Sequence, residues 1–231
     1  MLIKANLNEI SNKEILHPLL RINKNINSVI LDYRLRCRCF DNGRIPIKFL
    51  QENILVSKNS FIQNNYKLSN KIRKYVINLI NQNYTNSKDI PSILGIGGEA
   101  YMYLLYIKKW NNNHFLKLYN NHFLTNNETI YDDAKVNGGI LYFKLNLVNY
   151  NQVKIKKEFD SSIINLSKIN INLIKQINNI VTKSIIIISC NHNDFWKKSK
   201  YLTTFFLSKR EKFIDEKLGY YLTVNLFIKK N

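Results

Sequence analysis

Cys190 is the residue whose type and position carry the clearest chemistry. It stands in KSIIIISCNHNDFW, residues 183 to 196, where four isoleucines give way to Ser189, Cys190 and Asn191. An unbroken β-branched run bounded by polar residues reads as a strand buried on both faces. The thiol falls where that strand runs out into a loop. A free cysteine commonly serves as a small buried hydrophobe. A thiol at a strand end, with Lys197 and Lys198 nearby in the chain, is instead placed to act as a nucleophile, because cationic surroundings favour the reactive thiolate.

Three further stretches carry chemical possibilities. GIGGEAY, residues 95 to 101, follows an apolar run and precedes an apolar helix pattern. Glycines at Gly95, Gly97 and Gly98 let a backbone approach a nucleotide-like ligand closely, and they equally make a tight strand-to-helix turn. The stretch is neither a Walker loop nor a complete G-x-G-x-x-G. SFIQNN, residues 60 to 65, is a polar loop holding Phe61 and Gln63. In SVILDYRLRCRCF, alternation from Tyr33 puts Arg34, Arg36 and Arg38 on one face of a strand. Such a row is either a solvated basic face or a phosphate contact, since the guanidinium fork suits phosphate.

The elements that must position these residues alternate. Residues 28 to 50 read as a hairpin turning at DNGR, with IPIKFL as the return strand. Leu68, Ile72, Tyr75, Val76 and Leu79 are at helical spacing within residues 65 to 82. A strand into GIGG, a helix, a strand at 114–119, a helix around ETIYDDAKVNG and a strand at 140–148 follow. Then come DSSIINL, a helix at INLIKQINNIV, the isoleucine strand, a helix over about 193 to 207 and a last strand at YYLTVNLFIKK. This alternation predicts an α/β sheet with helices on both faces, with ligands at the carboxyl ends of the strands. Both the GIGG turn and Cys190 belong to that edge.

With 231 residues, of which 45% are hydrophobic, the chain is long enough for a real core. Its 35 basic and 16 acidic residues give a formal charge of +19, which favours a polyanion such as RNA. Part of that basicity is shared with a general richness in Asn, Ile and Lys. Cys37 and Cys39 form a C-x-C pair with no second pair, so no metal site is expected. The opening MLIKANLNEISNKE lacks a signal-peptide core and no apolar run spans a bilayer. The expectation is a soluble, cytoplasmic protein with no membrane partner.

Taken in order, these stretches resemble the RNA 5-methyluridine (uracil-C5) methyltransferase family. SKNSFIQNNYKLSNKI is similar to its Phe-Phe-Gln-Val-Asn motif before a helix, and ILGIGGEAY to its cofactor loop. DDAKVNG resembles Ala-Lys-Leu-Asn-Gly, IINLSK stands for Asp-Pro-Pro-Arg, and IISCNH resembles Val-Ser-Cys-Asn-Pro. The resemblance covers residues 55 to 231. It implies a Rossmann-like methyltransferase sheet, mostly parallel with an antiparallel last strand, over residues 56 to 231. A small β-containing accessory region over residues 1 to 55 precedes it. It also implies S-adenosylmethionine as cofactor, with Gly95, Gly97, Gly98, Glu99 and Asn165 around it, and Cys190 as the nucleophile toward uracil C6. Phe61 and Gln63 would contact the flipped base, and Arg34, Arg36 and Arg38 the RNA.

The chain departs from that family's pattern at its carboxylates. Leu222 stands at the place of the family's catalytic Glu, and Tyr220 at that of its His. Gly95, Tyr119 or Asn120, Asn146 and Asn165 stand at the cofactor acids, and Lys168 at the Arg. Glu99 could substitute in the loop, and Asp194, Asp215 or Glu216 could supply a base. The departures leave a second reading open: a catalytically inactive methyltransferase-like subunit that binds RNA or a protein partner.

Overall fold

The computed structural model describes residues 2–5, 28–33, 36–39, 44–57, 60, 66–84, 91–110, 120–216 and 219–230. The chain divides into two compact units, Met1–Ser60 and Phe61–Asn231. In the first, β1 (Leu2–Ala5) pairs parallel with β2 (Ser28–Tyr33), which pairs antiparallel with β3 (Arg36–Cys39). A separate hairpin joins β4 (Arg44–Phe49) to β5 (Glu52–Ser57). The expected 28–50 hairpin is therefore two hairpins. Tyr33 pairs antiparallel with Arg36, and IPIKFL pairs forward with ENILVS instead of back across DNGR. Leu50 makes the forward turn at φ 57°, a conformation usually left to Gly or Asn.

The second unit is built on a seven-stranded sheet. Its strands are β6 (Ile93–Ile96), β7 (His122–Thr125), β8 (Lys144–Leu147), β9 (Phe159–Asn165), β10 (Val181–Ser189), β11 (Phe205–Asp215) and β12 (Tyr220–Lys229), in the spatial order β11-β12-β10-β9-β6-β7-β8. From β10 to β8 every neighbour is parallel, and β12 is antiparallel to both β10 and β11. The helices are α1 (Tyr66–Tyr84), α2 (Ala100–Trp110), α3 (Glu128–Val136), α4 (Ile171–Ile180) and α5 (His192–Ser199). This is the mixed Rossmann-like sheet expected from the alternation, with its last strand antiparallel.

Period two divides the sheet residues between two helical layers. Leu94, Ile96, Leu124, Ile164, Ile185, Ile187 and Phe227 pack with Leu173, Ile174 and Ile177 of α4 and Phe195 of α5. On the other face, Gly95 lies against Leu104 of α2, where an added Cβ would come within 2.9 Å of the Leu104 side chain. The isoleucine run is buried on both faces, as its composition requires. Asparagine supplies the helix starts: Asn127, Asn170 and Asn191 each accept a backbone N–H in the first turn of α3, α4 and α5, at 3.1 Å.

Two element boundaries differ from expectation. The helix placed at 193–207 stops at Ser199, and Phe205–Asp215 is a strand hydrogen-bonded along β12. The strand expected at 114–119 lies outside the described residues, and the strand beside β6 is instead His122–Thr125. The chain contains NHFL twice, at 113–116 and 121–124, and the second copy directly precedes the Asn127 cap of α3. Among the described residues no helix is long and apolar enough to cross a membrane.

Candidate active site

Cys190 follows the last residue of β10 and precedes Asn191, the N-cap of α5. Its side chain is exposed. An anion is favoured at such a helix start. Of its cationic sequence neighbours, Lys198 is engaged by Asp194 at 2.6 Å, while Lys197 is exposed. Alternation along β10 puts Ser189 on the α4 and α5 side and Ile188 on the other, where a cleft of ≈ 200 Å³ opens.

The cleft lies at the carboxyl ends of β6, β7, β9 and β10. Gly97, Gly98, Asn165, Ile188, Cys190 and Leu222 line one part of it, and Thr125, Asn126, Asn127, Ile130, Leu166 and Ser167 the rest. The glycine turn is held to the sheet by the Gly97 N–H, which donates to Leu124 O at 2.9 Å. Gly97 and Gly98 have φ of 66° and 42°, and a Cβ on Gly98 would lie 2.7 Å from the carbonyl oxygen of Asn165. Glycine at these positions lets the loop close against the end of β9, which narrows the floor of the cleft.

Of the cofactor residues inferred from sequence, Gly97, Gly98 and Asn165 meet Cys190 in this one cleft. Gly95 does not line it, since it faces Leu104 within the sheet. Glu99 lines a small adjoining cavity together with Ser69, Ile72, Tyr103, Asn165, Ile188 and Leu222. There its carboxylate accepts two bonds from the Arg73 guanidinium, at 2.8 and 3.3 Å, both residues being buried. Phe61, Gln63 and Arg34 lie outside the described residues, as do the side chains of Arg36 and Arg38, whose backbones are in β3.

The sequence reading missed Thr125, Asn126 and Asn127. It sought the polar end of the second strand near Tyr119 and Asn120, whereas the strand beside β6 ends at Thr125. The signal was present in TNNET, a cap pattern directly after Phe123 and Leu124. Asn127 caps α3, and its N–H bonds the Thr125 hydroxyl at 3.1 Å, which fixes this end of the cleft.

The carboxylates near Cys190 sort clearly. Asp194 accepts from the Ile169 N–H at 3.0 Å and pairs with Lys198, so it ties α5 to the loop after β9. Glu216 is exposed in the turn after β11. Asp215 is buried and pairs in register with Tyr220, two residues before Leu222. Burial raises the Tyr220 phenol above its ordinary value, and the charges of Asp215 and Cys190 add to that rise, so the three groups share a neighbourhood.

No protein-family model matches the chain, and no curated protein sequence matches it. Solved structures do. The Pyrococcus abyssi tRNA (uracil-54, C5)-methyltransferase, in complex with S-adenosyl-L-homocysteine, superposes with a TM-score of 0.68 at 16% identity, over 98% of this chain and 55% of that one. The fold is the Rossmann-like methyltransferase fold. The M. jannaschii tRNA m1G37 methyltransferase shares this methyltransferase fold with a TM-score of 0.58 at 14% identity, over 100% of this chain and 70% of that one. The N-methyltransferase NodS of Bradyrhizobium japonicum WM9 shares it at 0.52 and 9% identity, over 73% of this chain and 100% of that one. The present chain thus spans about half the length of the archaeal uracil methyltransferase.

Proposed function

We propose that the chain is an S-adenosylmethionine-dependent RNA methyltransferase that acts at uracil C5 through Cys190. The observation that carries this reading is the convergence of Gly97, Gly98, Asn165 and Cys190 on one cleft at the carboxyl edge of the sheet. The tRNA methyltransferases among the solved structures of this fold, and the charge of +19, support an RNA substrate.

The cleft fits the cofactor by its donor set. Thr125, Asn126, Asn127, Asn165 and Ser167 offer neutral hydroxyls and amides beside apolar Ile130 and Leu166. Such groups can hydrogen-bond ribose hydroxyls and adenine edges without a carboxylate. When bound, S-adenosylmethionine supplies an electrophilic methyl group. Thr125, Asn126 and Asn127 would hold its sugar, and Asn165 with the glycine turn its remaining polar groups.

Cys190 thiolate adds to uracil C6, and the electron pair displaced from the C5–C6 bond makes C5 nucleophilic toward the methyl group. After methylation the C5 proton must leave to a base, and the C6–S bond then breaks with return of the thiolate. Leu222 lines the cleft and cannot take that proton. The Tyr220 phenol, raised by burial, stays protonated at neutral pH, so Asp215 beside it is the base in this scheme.

Incubation with 5-fluorouracil-containing RNA and cofactor tests the reading, because a C5 fluorine cannot leave as a proton does. A denaturation-resistant protein–RNA adduct is expected, lost in Cys190→Ala and retained in Asp215→Asn. If wild-type protein that binds RNA and cofactor forms no adduct, the nucleophile assignment fails and the chain is an inactive scaffold.

A further inference from the structure

The edge of the sheet beside the cleft carries an ordered array that the reaction does not use. β11 is the outer strand, and residues Phe206 to Lys212 are all exposed. Its side chains divide by alternation. Lys209 and Phe213 turn toward α1, where Lys209 Nζ donates to Gln82 Oε1 at 3.2 Å and Phe213 meets the Tyr75 ring at 5.6 Å. Arg210 and Lys212 take the opposite face.

There, both cations are held by rings. The Arg210 guanidinium lies 4.9 Å from the Trp196 ring centroid, and Lys212 Nζ lies 3.8 Å from that of Tyr221. Tyr221 in turn stacks on His192, 3.8 Å apart and 9° from parallel. Burial holds the His192 imidazole below its ordinary value, so the stack is neutral at pH 7. Neither Arg210 nor Lys212 makes an ion pair among the described residues. Trp196 remains 42% exposed. An aromatic surface with fixed, unneutralised cations is the combination that binds single-stranded nucleic acid.

The array approaches the cleft only at the carboxyl edge of the sheet: His192 stands two residues after Cys190, while alternation turns Tyr221 to the α5 face and Leu222 to the cleft face. Arg210 and Lys212 are alternate residues of one strand, so they recur at about 7 Å. That matches the spacing of consecutive phosphates along an extended strand.

We propose that Arg210, Lys212 and Trp196 form a track for single-stranded RNA on the α5 face of the sheet, running toward the strand edge at which Cys190 is exposed. The two cations take neighbouring phosphates and the exposed indole takes a base. The choice of RNA rests on the methyltransferase reading; the track itself does not require the thiol chemistry.

Fluorescence anisotropy of the full chain with a labelled oligouridylate of about 12 nucleotides tests the track. Arg210→Gln with Lys212→Gln is expected to weaken binding roughly tenfold, and to lower the slope of log affinity against log salt by about 1.4, for two phosphate contacts. Trp196→Ala is expected to weaken binding with the slope unchanged. Lys175→Gln with Lys200→Gln removes the same charge from the two lysines around Tyr201 and is expected to leave affinity within about twofold. Unchanged binding in the Arg210 and Lys212 variant, equal loss in the Lys175 and Lys200 variant, or tighter binding of the deoxyribose oligomer would each overturn the proposal. Intact RNA binding without any 5-fluorouracil adduct would remove the catalytic reading and leave the track standing.

Discussion

At the scale of single residues, His122 shows how burial among cations sets a pH limit. Its ring meets Phe159 edge-on at 5.0 Å. Burial, and then the charges of Lys157 and Lys144, depress its pKa from 6.5 to about 4. The unfolded chain therefore binds a proton at His122 before the folded chain does. Its contribution to stability is full above pH 6.5 and is lost as the pH falls from there through about 4. Denaturant melts should show stability falling between about pH 7 and about pH 4.5, and His122→Phe should flatten that fall while keeping the ring contact. An unchanged pH profile in the variant would rule out His122 as its source. Residue-scale chemistry was partly legible in the sequence. Cys190 and the two turn glycines are marked by type and by punctuation. The burial of Asp215 and the pairing of Glu99 are not, because they depend on which strands and helices become neighbours.

At the scale of elements, the link between α1 and the glycine turn rests on a buried ion pair. Arg73 and Glu99 are 1% and 5% exposed, and their charges pair with each other where water does not reach. Glu99→Gln removes the carboxylate from this buried pair and should cost roughly 3–5 kcal/mol. The double variant Arg73→Met with Glu99→Leu should cost less than that single change, since both charges of the pair are removed together. Urea denaturation of the two variants decides this, and a larger loss in the double variant would contradict it. The elements themselves were read well where periodicity was strong. The spacing of Leu68, Ile72, Val76 and Leu79 gave α1, and SIIIIS gave the buried part of β10. The reading failed where two patterns competed. The repeated NHFL offered two candidate strands, and only the following Asn127 cap favours the second. The mixed stretch FFLSKREKFID carries no uniform apolar face, because as an edge strand it has one partner and seven consecutive exposed residues.

At the scale of the molecule, the parallel order of β8, β7, β6, β9 and β10 gathers chain segments about a hundred residues apart into one cleft. The sequence made that gathering readable through alternation of strand and helix, since crossover connections put successive loops at one edge. It did not make the β11 and β12 pairing readable, nor the cation and ring array that this pairing builds. In place of carboxylates the cleft presents amides and hydroxyls as the groups that would hold the cofactor. Isothermal titration of the full chain with S-adenosylmethionine tests that most directly. Saturable one-to-one binding is expected, retained in Cys190→Ala and accompanied by a rise in melting temperature. Titration without saturable heat, and a melting temperature that does not move with cofactor, would contradict it.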